Sequence, residues 1–204
     1  MYSKVKSLGI SGIEAFNVTV ECDISGGLPR FDVVGLPDTA VKESRERVRS
    51  SIKNCKLNFP VSRITVNIAP ADIKKEGAIF DLPVFIAILK SSEQIKENID
   101  DYAFLGELSL DGEIRKASGI LPMIMAAKEY NIKKVFVPFQ NACEGSVVDG
   151  VDGLPAKNVM DVLAHIKGEK VIESVKYDFD AEEETKYNVD FSDVKGQDQA
   201  TFLS

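Results

Sequence analysis

The sequence predicts an α/β or α+β domain built on a mixed β-sheet. Three observations carry this expectation. Strand-like two-residue alternation fills the first third, strand and helix patterns then alternate through the middle, and Asp111-Gly112 lies between two apolar runs as a hairpin signal. A chain of 204 residues with 44% hydrophobic content and eight prolines suits one core with an appended segment.

Residues 5–25 read as two strands around Gly9 and Gly12. Phe16, Val18, Val20, Cys22 and Ile24 alternate there with polar neighbours, as in a sheet with one buried face. Gly26-Gly27-Leu28-Pro29 is a turn and 31–34 a short strand. Gly35-Leu36-Pro37 then breaks the pattern ahead of a helix capped by Asp38 or Thr39. That helix, 40–54, places Val41, Val48 and Ile52 on one stripe with Arg45 at its edge and charge elsewhere, so it lies on a surface. Residues 64–69 alternate as a strand ending at Pro70. The polar loop 71–77 leads into an apolar helix over 81–89, whose Pro83 falls in the first turn, where proline is tolerated.

A hairpin is expected over 103–110 and 113–116, with a tight Asp111-Gly112 turn needing positive φ. A helix over 120–130, a strand over 134–137 and a connection over 146–155 containing another strand come next. The last helix is capped by Asn158 and ends at Gly168. After residue 170 apolar periodicity fades and charge accumulates, so a body over 1–168 and an acidic linker over 169–204 are expected.

The formal charge of −7 is uneven, because residues 169–194 hold nine acids against three lysines. The body is nearly neutral and offers no global electrostatic case for nucleic acid; any basic surface is local. The start lacks an apolar signal region, and no run of eighteen apolar residues occurs, so a cytoplasmic protein with no membrane partner is expected. Cys22, Cys55 and Cys143 are odd in number and far apart, which argues against a disulfide framework or zinc knuckle. His165 is the only histidine, so no histidine cluster can bind a metal, and no metal site is expected.

The most suggestive surface is the 40–54 helix, which carries Lys42, Arg45, Arg47, Arg49 and Lys53 against Asp38, Glu43 and Glu46. Lys42 with Glu46 and Glu43 with Arg47 stand four apart and can pair with each other. The alternative is contact of these cations with DNA phosphates or a neighbouring subunit. Asp72, Lys74, Lys75 and Glu76 form a candidate polar loop, for which a solvated loop is the simpler reading.

Four stretches share a pattern with one family: Gly35-Leu36-Pro37-Asp38-Thr39 continuing through Arg49, Ile64-Thr65-Val66-Asn67-Ile68-Ala69-Pro70-Ala71-Asp72, Lys75-Glu76-Gly77 with Phe80-Asp81-Leu82-Pro83, and Phe104-Leu105-Gly106-Glu107-Leu108 through Gly112. In order and spacing, over roughly residues 1–168, they resemble the amino-terminal domain of the YifB/ComM family of Mg-chelatase-like AAA+ ATPases. The resemblance implies a Lon-protease-like domain of the ribosomal protein S-five second-domain-like kind, a mixed sheet with helices packed on one side.

It also implies that a segment like Phe191-Ser192-Asp193-Val194-Lys195-Gly196-Gln197 leads into an AAA+ module that holds ATP and Mg2+. No Gly-x-x-x-x-Gly-Lys-[Ser/Thr] occurs here, so no cofactor is expected in this chain. Thr201-Phe202-Leu203-Ser204 departs from the family, as in an excised or truncated domain. Set against the Lon dyad, Ile79 falls where the nucleophilic serine belongs and Leu121 where the lysine base belongs, so catalysis by this chain is not expected.

The implied role is that of a non-catalytic accessory domain in a homo-hexameric ring ATPase acting on DNA, with branch migration during natural transformation attributed to ComM members. Its share would be ring assembly or binding of DNA or a partner, with the AAA+ module of the same polypeptide among those partners. A stand-alone regulatory or protein-binding module is the alternative, and a Lon-type peptidase the disfavoured third reading.

Overall fold

A computed structural model describes residues 1–174. The acidic segment expected over 169–204 falls mostly outside the described residues.

The first third forms the long hairpin its alternation calls for. Strands β1 (Tyr2–Ser11) and β2 (Glu14–Ser25) pair antiparallel from Tyr2↔Asp23 to Ser11↔Glu14. Strand β4 (Arg63–Ala69) adds antiparallel to β2, and β3 (Arg30–Val34) adds parallel to β4. On the other side of β1 lie β5 (Tyr102–Phe104), β8 (Lys134–Pro138) and β9 (Asp152–Ala156), all parallel. The order β3-β4-β2-β1-β5-β8-β9 makes a seven-stranded mixed sheet. Strands β6 (Glu107–Leu108) and β7 (Ile114–Arg115) pair separately.

Five α-helices accompany the sheet among the described residues: α1 (Thr39–Asn54), α2 (Asp81–Ser91), α3 (Ile120–Glu129), the short α4 (Ala142–Gly145) and α5 (Val159–Ile166). Successive residues of a strand face opposite sides, and the two sides feed two cores. Phe104 and Phe136 join α1, α2 and α5 in the larger one, while Ala103, Leu105, Val135 and Val137 join α3 in the smaller. The expected packing on one side therefore describes α1, α2 and α5, and α3 covers the opposite face. Leu82 to Leu89 of α2 are buried all round, because α1 and the β6–β7 hairpin cover the side that the sheet does not.

The 103–116 region differs from expectation. The anticipated continuous strand breaks after Phe104: β5 stays in the main sheet, and the chain leaves it to make β6. The hairpin closes at Leu108↔Ile114 through a five-residue loop, in which Gly112 but not Asp111 takes positive φ (+92°). Ser109 organises this longer turn: its N–H donates to the Glu113 carbonyl (3.0 Å), and its hydroxyl accepts from the Glu113 N–H (2.9 Å) and donates to the Asp111 carboxylate.

Candidate functional site

Helix α1 is seated by local signals and then divides its cations by geometry. Asp38 caps it, one carboxylate oxygen accepting from the Val41 N–H (2.8 Å) and the other from the Gly77 N–H (3.1 Å). Burial of Val41, Val48 and Ile52 fixes its rotation. Arg45, Arg49 and Lys53 then form one row at four-residue spacing, exposed to solvent. Lys42 is exposed off that row, and its carbonyl accepts from Arg45 Nε (3.1 Å).

Arg47 corrects the expectation that all five cations present a contact face. Its Nε lies 2.6 Å from Asp81 Oδ2 and its Nη2 3.1 Å from Oδ1, with Nη2 also donating to the Ala40 carbonyl at 2.9 Å. Asp81 is fully buried, and its Oδ2 also accepts the Leu108 N–H. The bond to Asp81 raises the Arg47 pKa. Arg47 is thus committed to the interior.

The row of cations borders a cleft of about 280 Å³, lined also by Arg30, Phe31, Glu46, Phe59 and Pro60. The Arg49 guanidinium sits 5.7 Å from the Phe59 ring centroid, and Phe31 lies 6.0 Å from Phe59 between centroids. Arg45 Nη1 reaches the Phe31 carbonyl at 3.3 Å. Arg30, Phe31 and Phe59 escape a reading of one helix because parallel pairing of β3 with β4, Arg30↔Arg63, brings 29–31 beside 59–62. The available signal was two aromatic-proline neighbourhoods, Pro29-Arg30-Phe31 and Phe59-Pro60.

In the polar loop, Asp72, Lys74 and Glu76 are exposed, and Lys74 pairs with Glu76 at 2.8 Å. Lys75 corrects the solvated-loop expectation: it is fully buried, and its Nζ donates to the Ile73 carbonyl at 2.6 Å. Burial pushes its pKa down. Backbone bonds from Asp38 N–H to the Lys75 carbonyl and from Lys75 N–H to the Leu36 carbonyl clamp this loop against the entry to α1.

Residues 20–141 match the family described as Subunit ChlI of Mg-chelatase. The chain belongs to the Mg-chelatase ChlI family. Among its relatives, competence protein ComM of Haemophilus influenzae is 37% identical over 204 residues, covering 96% of this chain and 39% of that protein. Uncharacterized protein YifB of Escherichia coli is 41% identical over 189 residues, covering 92% and 37%. A Lon protease of Mycolicibacterium smegmatis is 21% identical over 168 residues, covering 77% and 21%, in keeping with the Lon-like fold. The chain spans about two fifths of the length of the ComM and YifB relatives.

In this ChlI-family chain, Ile79 lies in a 3-10 turn, Ala78–Phe80, at a cleft shared with Ile10, Lys116, Ser118 and Met123. Leu121 borders a different depression, with Met125 and Val147, and its N–H donates to Glu144. The two positions set against the Lon dyad therefore do not meet in one cleft. The amino ends of α1, α3 and α5 are occupied by the protein's own Asp38, Glu144 and Asn158 oxygens. A triphosphate bound at any of these three helix ends would have to displace those oxygens. Among the described residues, no helix is long and apolar enough to cross a membrane.

Proposed function

We propose that this chain is a non-catalytic accessory domain of a Mg-chelatase-like AAA+ ATPase that acts on DNA, and that the Arg45–Arg49–Lys53 row is its contact with the phosphate backbone. The observation that carries the reading is the gathering of this row with Arg30 around one cleft, against Glu46 as the single acid in its lining. Phosphate contact needs such a local basic surface on an otherwise acidic chain. Kinship with a competence protein agrees with a role on DNA. ATP and Mg2+ belong, in this reading, to the AAA+ module of the full-length polypeptide, which assembles as a ring in the cytoplasm. Isoleucine and leucine at positions 79 and 121 support no Ser–Lys peptidase chemistry.

A second reading, a regulatory or protein-binding module, is favoured by one observation: Met125 and Val147 are exposed beside Leu121 around a shallow depression. Binding of fluorescent single-stranded, double-stranded and branched DNA across a salt series, with oligomeric state followed in parallel, separates the two. The DNA reading expects salt-dependent binding whose slope flattens in an Arg45→Ala/Arg49→Ala/Lys53→Ala variant, by roughly 0.7–0.9 for each phosphate no longer neutralised. No binding by the unaltered chain at low salt overturns it in favour of the partner-binding module.

A further inference from the structure

We propose that the cleft between α1 and the β3–β4 end of the sheet is a seat for an unpaired nucleic-acid strand, taking one base on the Phe59–Arg49 platform and the flanking phosphates on Arg45 and Lys53. The inference rests on the DNA reading above and narrows it to one strand and one place. Phosphate contact alone requires only accessible cations, without an aromatic surface beside them. Here a cleft of about 280 Å³ is also lined by the half-buried rings of Phe31 and Phe59. A paired base inside a duplex cannot reach such a recess, whereas an unpaired base exposes a flat apolar face that stacks on rings and guanidinium planes alike.

Arg49, held over the Phe59 ring, offers the flat face of its guanidinium as a cationic stacking surface backed by that ring. Arg45 and Lys53 lie one helical turn to either side of Arg49, placed for the phosphates before and after the seated base. Arg30 is already held by Asp32 at 2.7 Å and is the weaker phosphate ligand. Val61, 81% exposed at the rim, adds apolar surface that a purely electrostatic contact would not use. Recognition of this kind reads the presence of an unstacked base rather than its identity.

The test compares three fluorescent probes of equal length, about sixteen nucleotides: oligothymidylate, the same strand made of abasic sugar phosphates, and a blunt duplex. Oligothymidylate and abasic strand carry the same charge, so their difference isolates the base. The expected result is about tenfold weaker binding of the abasic strand. Phe59→Leu, which keeps apolar volume and removes the ring, should erase that preference at unchanged salt slope. Arg45→Ala and Lys53→Ala should each lower the slope by roughly 0.7 on both single strands. Thermal melting of each variant confirms folding, and the probe comparison on the unaltered chain requires no variant. Equal affinity for the thymidylate and abasic strands, or a preference that survives Phe59→Leu, overturns the base seat and leaves the DNA reading standing. Failure of all three probes to bind overturns both.

Discussion

Arg47 and Asp81 meet fork to fork, with Nε–Oδ2 and Nη2–Oδ1 separations of 2.6 and 3.1 Å, across 34 residues of sequence. The pair ties the middle of α1 to the first turn of α2, and the Leu108 N–H on the same carboxylate oxygen adds the β6–β7 hairpin. The helix that carries the basic row is thereby held in register with the core.

Loss of one partner of this pair leaves a charge without compensation in the interior. Arg47→Ala is expected to cost about 3–5 kcal/mol, read from urea unfolding midpoints, because Asp81 stays buried and unpaired. An Arg47→Met/Asp81→Leu double variant should recover much of that loss. A cost for Arg47→Ala no greater than that of an exposed arginine such as Arg45 would show that the pair does not anchor α1.

His165 is expected to make the chain's stability sensitive to acid. Its Nδ1 accepts the Ile172 N–H at 2.9 Å, and the ring packs edge-on to Phe136 at 5.3 Å between centroids. Protonated Nδ1 would present a hydrogen to a donor, and burial, aided by Lys134, pushes the pKa below its ordinary 6.5. A folded-state pKa below the unfolded one means that the unfolded chain takes up the proton first as pH falls. Stability is expected to decline as pH drops through 6.5 toward the folded value, then to level off with respect to this group. His165→Gln should remove that component when unfolding is followed between about pH 5 and 8; an unchanged pH profile would exclude it.

Thiol labelling should separate the three cysteines by access. Cys143 is exposed, Cys55 half-buried with its Sγ donating to the Asp111 carbonyl, and Cys22 buried between sheet and α2. Burial pushes the Cys22 pKa to about 11, so its thiolate is nearly absent at neutral pH. The expected order under a mild alkylating agent is Cys143, then Cys55, with Cys22 reacting only on unfolding. Because the folded value is raised above the ordinary 9.0, any stability from the neutral buried thiol is present below pH 9 and declines as pH rises toward 11. Early modification of Cys22 in the native protein would contradict this packing.

Gly112 is the point where the hairpin loop meets both α1 and α5. A Cβ there would press on Cys55 Sγ and on Val159, at a φ of +92° that other residues rarely adopt. Gly112→Ala is expected to destabilise by roughly 1–3 kcal/mol from crowding alone, seen in the melting temperature. A melting temperature equal to that of the unaltered chain would mean that the loop moves away freely.

Features whose physics is local were legible in the residues themselves. Asp38 and Asn158 cap helices through an N–H three residues ahead, and Val41, Val48 and Ile52 mark the buried stripe of α1 by spacing alone. The β1–β2 hairpin follows from alternation around Gly12. The four family-like stretches also carried the kinship, because each is a contiguous run of residues. The Asp111-Gly112 dipeptide marked a hairpin but not its length, since Ser109 supplied hydrogen bonds that the dipeptide signal does not include.

What the sequence determined by itself was therefore most of the elements, their order and the family; the break between β5 and β6 and the short α4 were not among them. The sheet order, the placement of α3 on the face opposite α1, α2 and α5, and the division of labour among like charges were decided by tertiary structure. Arg47 and Arg49 are the same residue type two positions apart on one helix. One became an interior clamp and the other half of an aromatic platform because two residues along a helix differ by about 200° in direction. Asp81 and Phe59, which those directions meet, are delivered by other elements. Lys75 followed the same logic, since its burial depends on the packing of its loop against the entry to α1 and not on its own polar neighbourhood.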